Sequence, residues 1–175
     1  MAGVFKQLES RRLLQQISNP ALLTAPPSIL QDMLPTSSSA YIGFDPTAES
    51  IHLGNLVGYL ALFKFRVAGF HPIVLFGGAT GLIGDPSGRS SERNMLSQDE
   101  VCHNVAKFEH QFRRLDDSLT ETYFVDCAPT LMKPITYVNN IDFYKDLNAL
   151  CFLRDIGKHF RVNQMIARDS VKSRM

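Results

Sequence analysis

Two short apolar runs, residues 40–44 and 72–76, each break off into a turn rich in glycine, proline and aspartate, and each turn leads on toward helical spacing. Strands that alternate with helices in this way need crossover connections, which bring the strands parallel. The pattern therefore predicts a parallel α/β sheet. The run 72–76 is apolar at every position, as suits a central strand buried on both faces. The run 40–44 also reads as a buried strand, and Asp45-Pro46-Thr47 after it is turn chemistry. From Leu53 the spacing becomes helical, with Leu56, Leu60, Phe63 and Val67 on one face, and Gly69 marks its end.

The rest of the chain fills in around these runs. Phe5, Leu8, Leu13, Leu14 and Ile17 suggest a helix over residues 4–17, and Pro27 opens a short one carrying Ile29, Leu30, Met33 and Leu34. Ser97 with Glu100 fits a capping box, ahead of a helix that carries Val101, Val105, Phe108 and Phe112 as core. Residues 123–125 read as a third strand and 135–138 as a further extended piece before the turn-like Asn139-Asn140. A helix is expected over residues 142–160, with Leu147, Leu150, Leu153 and Ile156 as its stripe, and another from Val162 onward.

Composition excludes several classes. With 175 residues, 45% of them hydrophobic, the chain can bury a real core. A net charge of +1 gives no electrostatic case for nucleic-acid binding by this stretch. No apolar run approaches a membrane span. Cys102, Cys127 and Cys151 are odd in number and lack CxxC spacing, which fits a reducing compartment rather than a disulfide framework or zinc site. His71, His103, His110 and His159 have no second ligand at a metal-binding spacing, so no protein-held metal is expected.

The chemistry concentrates after the two strands, where ligands bind in such sheets. His52 and Asn55 stand three apart at a helix start, and helix N-termini attract anions. Gly54 between them leaves room for a flat base or a phosphate, and Thr47 adds a hydroxyl. A triphosphate suits that set, although a capped helix with a surface histidine fits the same four residues. The second strand runs into Gly77-Gly78-Ala79-Thr80-Gly81-Leu82-Ile83-Gly84-Asp85-Pro86-Ser87-Gly88-Arg89. Asp85 there is suited to a substrate ammonium group or, more plainly, to an Asp-Pro turn. Arg89 and Arg93 are suited to clamping pyrophosphate as charge develops on it, or to lying solvated in a loop. Tyr41 reads as core, or as a hydrogen-bonding group at the floor of a pocket.

Residues 41–55, residues 77–93 and Phe152-Leu153-Arg154-Asp155-Ile156-Gly157-Lys158-His159-Phe160 closely resemble the class I aminoacyl-tRNA synthetases, in particular the tyrosyl branch of bacterial and organellar type. The likeness runs from about Phe5 to the end. It implies the N-terminal half of a Rossmann-like, parallel-sheet, nucleotide-binding catalytic domain with flanking helices: residues 1–38 a helical extension, residues 39–175 an incomplete catalytic domain. The implied activity is tyrosine–tRNA ligation, with ATP and Mg2+, L-tyrosine and tRNA(Tyr) as substrates and partners, homodimerisation of the complete protein and no membrane. By the same resemblance Tyr41 meets the substrate phenol and Asp85 its ammonium. Thr47, His52 and Asn55 act at the phosphates and nucleotide with Arg89 and Arg93, while Gly43, Asp45 and Gly54 shape the ATP site.

Some positions depart from the family pattern. Asn55 stands where many members have a second histidine, Ile42 and Gly58 where some have polar ribose contacts, and Arg89 where lysine is common. The family's second tyrosine-pocket helix, its flexible signature loop and its anticodon-binding domains belong beyond Met175. The isolated chain is therefore expected to be poorly soluble or chaperone-bound, and catalytically silent. A non-enzymatic isoform that pairs with a full-length synthetase is the alternative. The basic, serine-containing N-terminus favours the mitochondrial matrix in a eukaryote; the cytoplasm is the compartment in a bacterium.

Overall fold

The computed structural model describes residues 3–26, 29, 38–83, 96–124 and 132–172. The chain falls into two compact units. The first combines Met1–Phe44, Ser50–Leu75 and Lys107–Val138; the second combines Asp45–Glu49, Phe76–Ala106 and Asn139–Met175. The element order is α1 (Gly3–Ser10), α2 (Ala21–Thr24), β1 (Ser39–Phe44), α3 (Leu53–Val67), β2 (His71–Phe76), α4 (Gly78–Ile83), α5 (Gln98–Phe124) and β3 (Thr136–Asn139). A 3-10 turn at Asn140–Phe143 follows, then α6 (Ala149–Asp155), a second 3-10 turn at Gly157–His159, α7 (Val162–Ile166) and α8 (Asp169–Lys172). Three parallel strands pair in the order β1-β2-β3, which makes β2 central as its continuous apolar run predicts. His71 on β2 places Nε2 2.8 Å from Thr136 Oγ1 on β3, a structural role for that histidine.

The first unit carries the aromatic core. Phe112 on α5 is fully buried, and its ring centroid lies 4.5 Å from Phe44 at the end of β1 and 5.1 Å from Tyr59 on α3. A second cluster joins Val4 and Leu8 of α1 to Phe70, with Phe5 and Phe65 meeting it edge-on. Helix α3 ends as Gly69 predicts. Gly69 takes φ +92, its N–H reaches Arg66 O and the N–H of Phe70 reaches Phe65 O, which together satisfy the last carbonyls.

The buried stripe of α3 differs from the expected one. Tyr59, Leu62, Phe63 and Arg66 are buried, while Leu60 is partly exposed. Arg66 is tolerated there because it is paired. Its guanidinium bonds the Asp116 carboxylate, and Nε donates to Lys133 O at 2.8 Å. Tyr59 donates to the same carboxylate at 2.9 Å. Burial, reinforced by the Asp116 charge, raises the Tyr59 phenol well above its ordinary pKa.

Other expectations need correcting. Only Phe44 of β1 is buried, so β1 is a half-exposed strand at one side of the described sheet. Tyr123 lies in α5 rather than in a strand. It falls about three turns beyond Phe112 on the same helical face and meets Phe63 edge-on at 5.9 Å. The third strand is instead the later extended piece, Thr136–Asn139. Helix α1 stops at Ser10 because Arg12 turns left-handed (φ +57), with Arg12 N–H bonded to Glu9 O and Leu13 N–H to Leu8 O. The single helix expected over 142–160 is divided: Asn148 caps a fresh start by accepting from the N–H groups of Leu150 and Cys151. The helix from Val162 breaks after Ile166.

In the second unit the capping box at Ser97 forms as its sequence predicts, with Glu100 accepting from both the N–H and the hydroxyl of Ser97. The helix expected after Pro27 falls largely outside the described residues. Among the described residues no helix is long and apolar enough to cross a membrane, and Cys102 and Cys151 are free thiols.

Candidate active site

In the first unit the candidate residues lie on β1 and at the start of α3. His52 is the N-cap of α3: its Nδ1 accepts the Asn55 N–H at 3.2 Å, and Asn55 Oδ1 accepts the His52 N–H at 2.9 Å. The two residues thus satisfy each other's backbone donors in a capping box. The exchange has a chemical consequence. A neutral imidazole that accepts at Nδ1 carries its proton on Nε2, so the exposed ring edge is a hydrogen-bond donor at a helix N-terminus. Both readings of the motif are therefore physically compatible: the histidine caps the helix and still offers an N–H to an anion.

Gly54 keeps this cap open. A Cβ there would lie 3.0 Å from His52 Cε1 and 3.1 Å from Nδ1. Gly43 on β1 has nothing within 4 Å of where a Cβ would be, so its side of the strand is open space. Tyr41, two residues earlier, is 74% exposed rather than core. Just ahead of the cap, Ile51 N–H donates to Gln111 Oε1 at 3.2 Å, anchoring this approach to α5.

In the second unit Asp45 is half-buried, and its Oδ1 accepts the Thr80 hydroxyl at 2.9 Å. The glycine at position 77 is required by this contact, since a Cβ would collide with Thr80 Oγ1 and Asp45 Oδ1. Thr47 is exposed, and its N–H bonds Asp45 O at 2.9 Å. It lines a hollow of about 540 Å³ together with Glu49, Glu100, His103 and Asn104. Asn104 is buried there and donates to Pro46 O at 3.1 Å, which holds the turn that presents Thr47. Asp85, Arg89 and Arg93 lie outside the described residues.

Three residues that the sequence reading left unassigned belong to this arrangement. Thr80 ties the glycine turn to Asp45, and Asn139 and Asn140 accept from the N–H groups of Gly78 and Ala79. Only the unbroken Gly77-Gly78 pair hinted at partners so close to the backbone. Among the described residues no group of three His, Cys, Asp or Glu side chains is arranged to hold a metal ion.

The class follows from this fold and these motifs together. Residues 35–175 match the family of class I tRNA synthetases (W and Y), and the chain belongs to that family. Its relatives are more particular. It is 50% identical over 135 residues to a tyrosine–tRNA ligase of Opitutus terrae, covering 77% of this chain and 29% of that protein. It is 41% identical over 174 residues to a tyrosine–tRNA ligase of Yersinia pestis, covering 99% of this chain and 37% of that one. Among solved structures it is similar to a C-terminally truncated mitochondrial tyrosyl-tRNA synthetase of Aspergillus nidulans, with a TM-score of 0.78 at 28% identity, over 98% of this chain and 47% of that one. The corresponding Coccidioides posadasii protein gives 0.74 at 26% identity, over 97% of this chain and 44% of its own. The chain thus spans about a third of the length of these curated relatives. The parallel α/β class read from the strand pattern is the class observed, and it matches the Rossmann-like domain that the resemblance implies.

Proposed function

We propose that this chain supplies the ATP- and tyrosine-handling elements of a tyrosine–tRNA ligase. The observation that carries the reading is the reciprocal His52–Asn55 cap, which leaves an Nε2–H donor exposed at the start of α3. In the first step the tyrosine carboxylate attacks the α-phosphorus of Mg-ATP. A carboxylate–phosphorus bond forms, the bridge to the β-phosphate breaks and pyrophosphate leaves. In the second step the tyrosyl group passes to the 3′ end of tRNA(Tyr) and AMP departs. No covalent bond to the protein is needed, so the protein contributes position and charge.

In this reading His52 and Thr47 donate to phosphate oxygens, and Asn55 holds the His52 cap that aims the ring. Gly54 and Gly43 leave room for the nucleotide. Asp45, which accepts the Thr80 hydroxyl, is read as an ATP-site residue as well. Tyr41 meets the substrate phenol, Asp85 its ammonium group, and Arg89 and Arg93 the departing pyrophosphate. Mg2+ arrives with the nucleotide as substrate. We read residues 1–38 as a helical extension and 39–175 as catalytic domain. The complete assembly is read as a homodimer, in the mitochondrial matrix of a eukaryote or the cytoplasm of a bacterium.

The test is tyrosine-dependent ATP–pyrophosphate exchange by the full-length gene product. His52→Asn keeps a capping oxygen but removes the ring donor. It is expected to lower the exchange rate about 100-fold, the typical loss for one positioned donor, with melting temperature unchanged. Exchange that does not depend on tyrosine, or that survives His52→Asn intact, overturns the reading.

A further inference from the structure

The start of α3 is held together locally. His52 and Asn55 exchange backbone and side-chain bonds, and the Leu56 N–H donates to His52 O at 3.1 Å. These bonds fix the His52 ring to its own helix, but not the place of that helix start on the rest of the first unit. The residue just ahead of the cap ties it to a second element. The Ile51 N–H donates to Gln111 Oε1 on α5 at 3.2 Å, sixty positions along the chain. The Gln111 amide is itself pinned, since its Nε2 donates to Lys107 O, one turn earlier on α5, at 3.1 Å. With a donor met on one side and an acceptor on the other, the amide has one orientation. Helix α5 is a firm base for it. Phe112, the next residue, is fully buried against Phe44 and Tyr59. Further on, Asp116 accepts from Tyr59 and pairs with Arg66, both on α3. From Asp116 back to Gln111 the partners retreat from Arg66 and Tyr59 to Ile51, so one interface between α5 and α3 runs down to the His52 end.

We infer that Gln111 is a positioning residue for His52. By holding Ile51 against α5 it sets where the His52 cap stands, and with it the point that the Nε2–H donor reaches. The inference rests on the proposed reading in which that donor meets an ATP phosphate, and it adds the group that keeps the donor in place. Such a group matters to rate because a misplacement of about 1 Å at a reacting geometry costs up to about 100-fold.

The experiment uses the full-length gene product and measures tyrosine-dependent pyrophosphate exchange per titrated active site, so that loss of folded protein does not enter the rate. Gln111→Met keeps the length of the side chain but removes the oxygen that Ile51 needs. It is expected to lower the rate per site about tenfold, the scale of one lost hydrogen bond. In a His52→Asn background the same change should move the rate by less than about twofold, because no ring is left to aim. Gln111→Glu retains an acceptor oxygen and is expected to stay within about threefold of the unmutated protein. An unchanged rate per site in Gln111→Met, a full tenfold loss in the His52→Asn background, or a Gln111→Glu variant no better than Gln111→Met would each overturn the inference. A Gln111→Met protein with no titratable sites would mark the residue as merely structural and overturn it too. A His52→Asn variant that exchanges as fast as the unmutated protein would instead sink the functional reading on which the inference rests.

Discussion

Helix α5 and the stretch from Asn148 to Lys172 are both punctuated by large apolar side chains, and they dispose of them in opposite ways. On α5, Phe112 is buried against Phe44 and Tyr59, and Phe108, buried as well, meets Phe112 edge-on. In the later stretch Leu150 is 76% exposed, and Leu153, Val162 and Met165 are exposed as well. Both segments carry helical spacing. The lesson is that periodicity announces an apolar face without saying what covers it. Burial needs a second surface, and of these two segments only α5 has one within the described residues.

That contrast can be broken most directly by stability. Phe112→Ala empties a fully enclosed site and is expected to cost about 4 kcal/mol, whereas Leu150→Ala should fall within about 0.5 kcal/mol of zero. Denaturant unfolding of both variants decides it. A Leu150 cost that rivals the Phe112 cost would mean the later stretch is covered in solution. Next in size is the buried polar anchor between α3 and α5. Asp116→Ala leaves Arg66 charged and enclosed, and should cost about 3 kcal/mol. Replacing both with apolar residues, Arg66→Met with Asp116→Leu, should recover most of that. If the double replacement is no better than the single, the pair is not what holds the two helices together.

The smallest effects are in pH. Burial pushes the Tyr137 phenol up to about 12 from an ordinary 10.0. The folded chain therefore keeps a proton that the unfolded chain releases. Its contribution to stability is whole below pH 10.0 and drains away as pH rises toward about 12. Glu100 works on the acid side, where hydrogen bonds from the Ser97 hydroxyl and N–H hold its carboxyl below the usual 4.5. Its support of the α5 start is present above pH 4.5 and fades as pH falls through the lowered value. Unfolding followed across both ranges, with Glu100→Gln as control for the acid limb, checks both signs.

Much of the fold was legible because its signals are local. The apolar run of β2, the left-handed Gly69, the Ser97–Glu100 box and the Phe108–Phe112 pair each specify backbone or face within a few residues. The misreadings share one cause. Tyr123 looked like strand because aromatic residues favour strands, but its place on the α5 face against Phe63 decided otherwise. Arg66 was passed over for the α3 stripe because an arginine is seldom buried, and nothing nearby in sequence announces Asp116, fifty positions away. At the site, His52, Gly54 and Asn55 were legible as a helix start, while Asn139 and Asn140 looked like a turn because their partners at Gly78 and Ala79 are sixty-one positions back.

The sequence by itself determined the alternation of strand and helix, the glycine turns, the Ser97–Glu100 capping box and the family. These follow from the few φ/ψ choices open to glycine, proline and capping side chains, and from motifs read in order. Only the tertiary structure decided which apolar faces are covered, that a charged arginine belongs in the core and that two asparagines hold the start of α4. Those outcomes depend on groups that meet only after folding, when the cost of removing a donor or a charge from water is met by a partner that sequence proximity does not reveal.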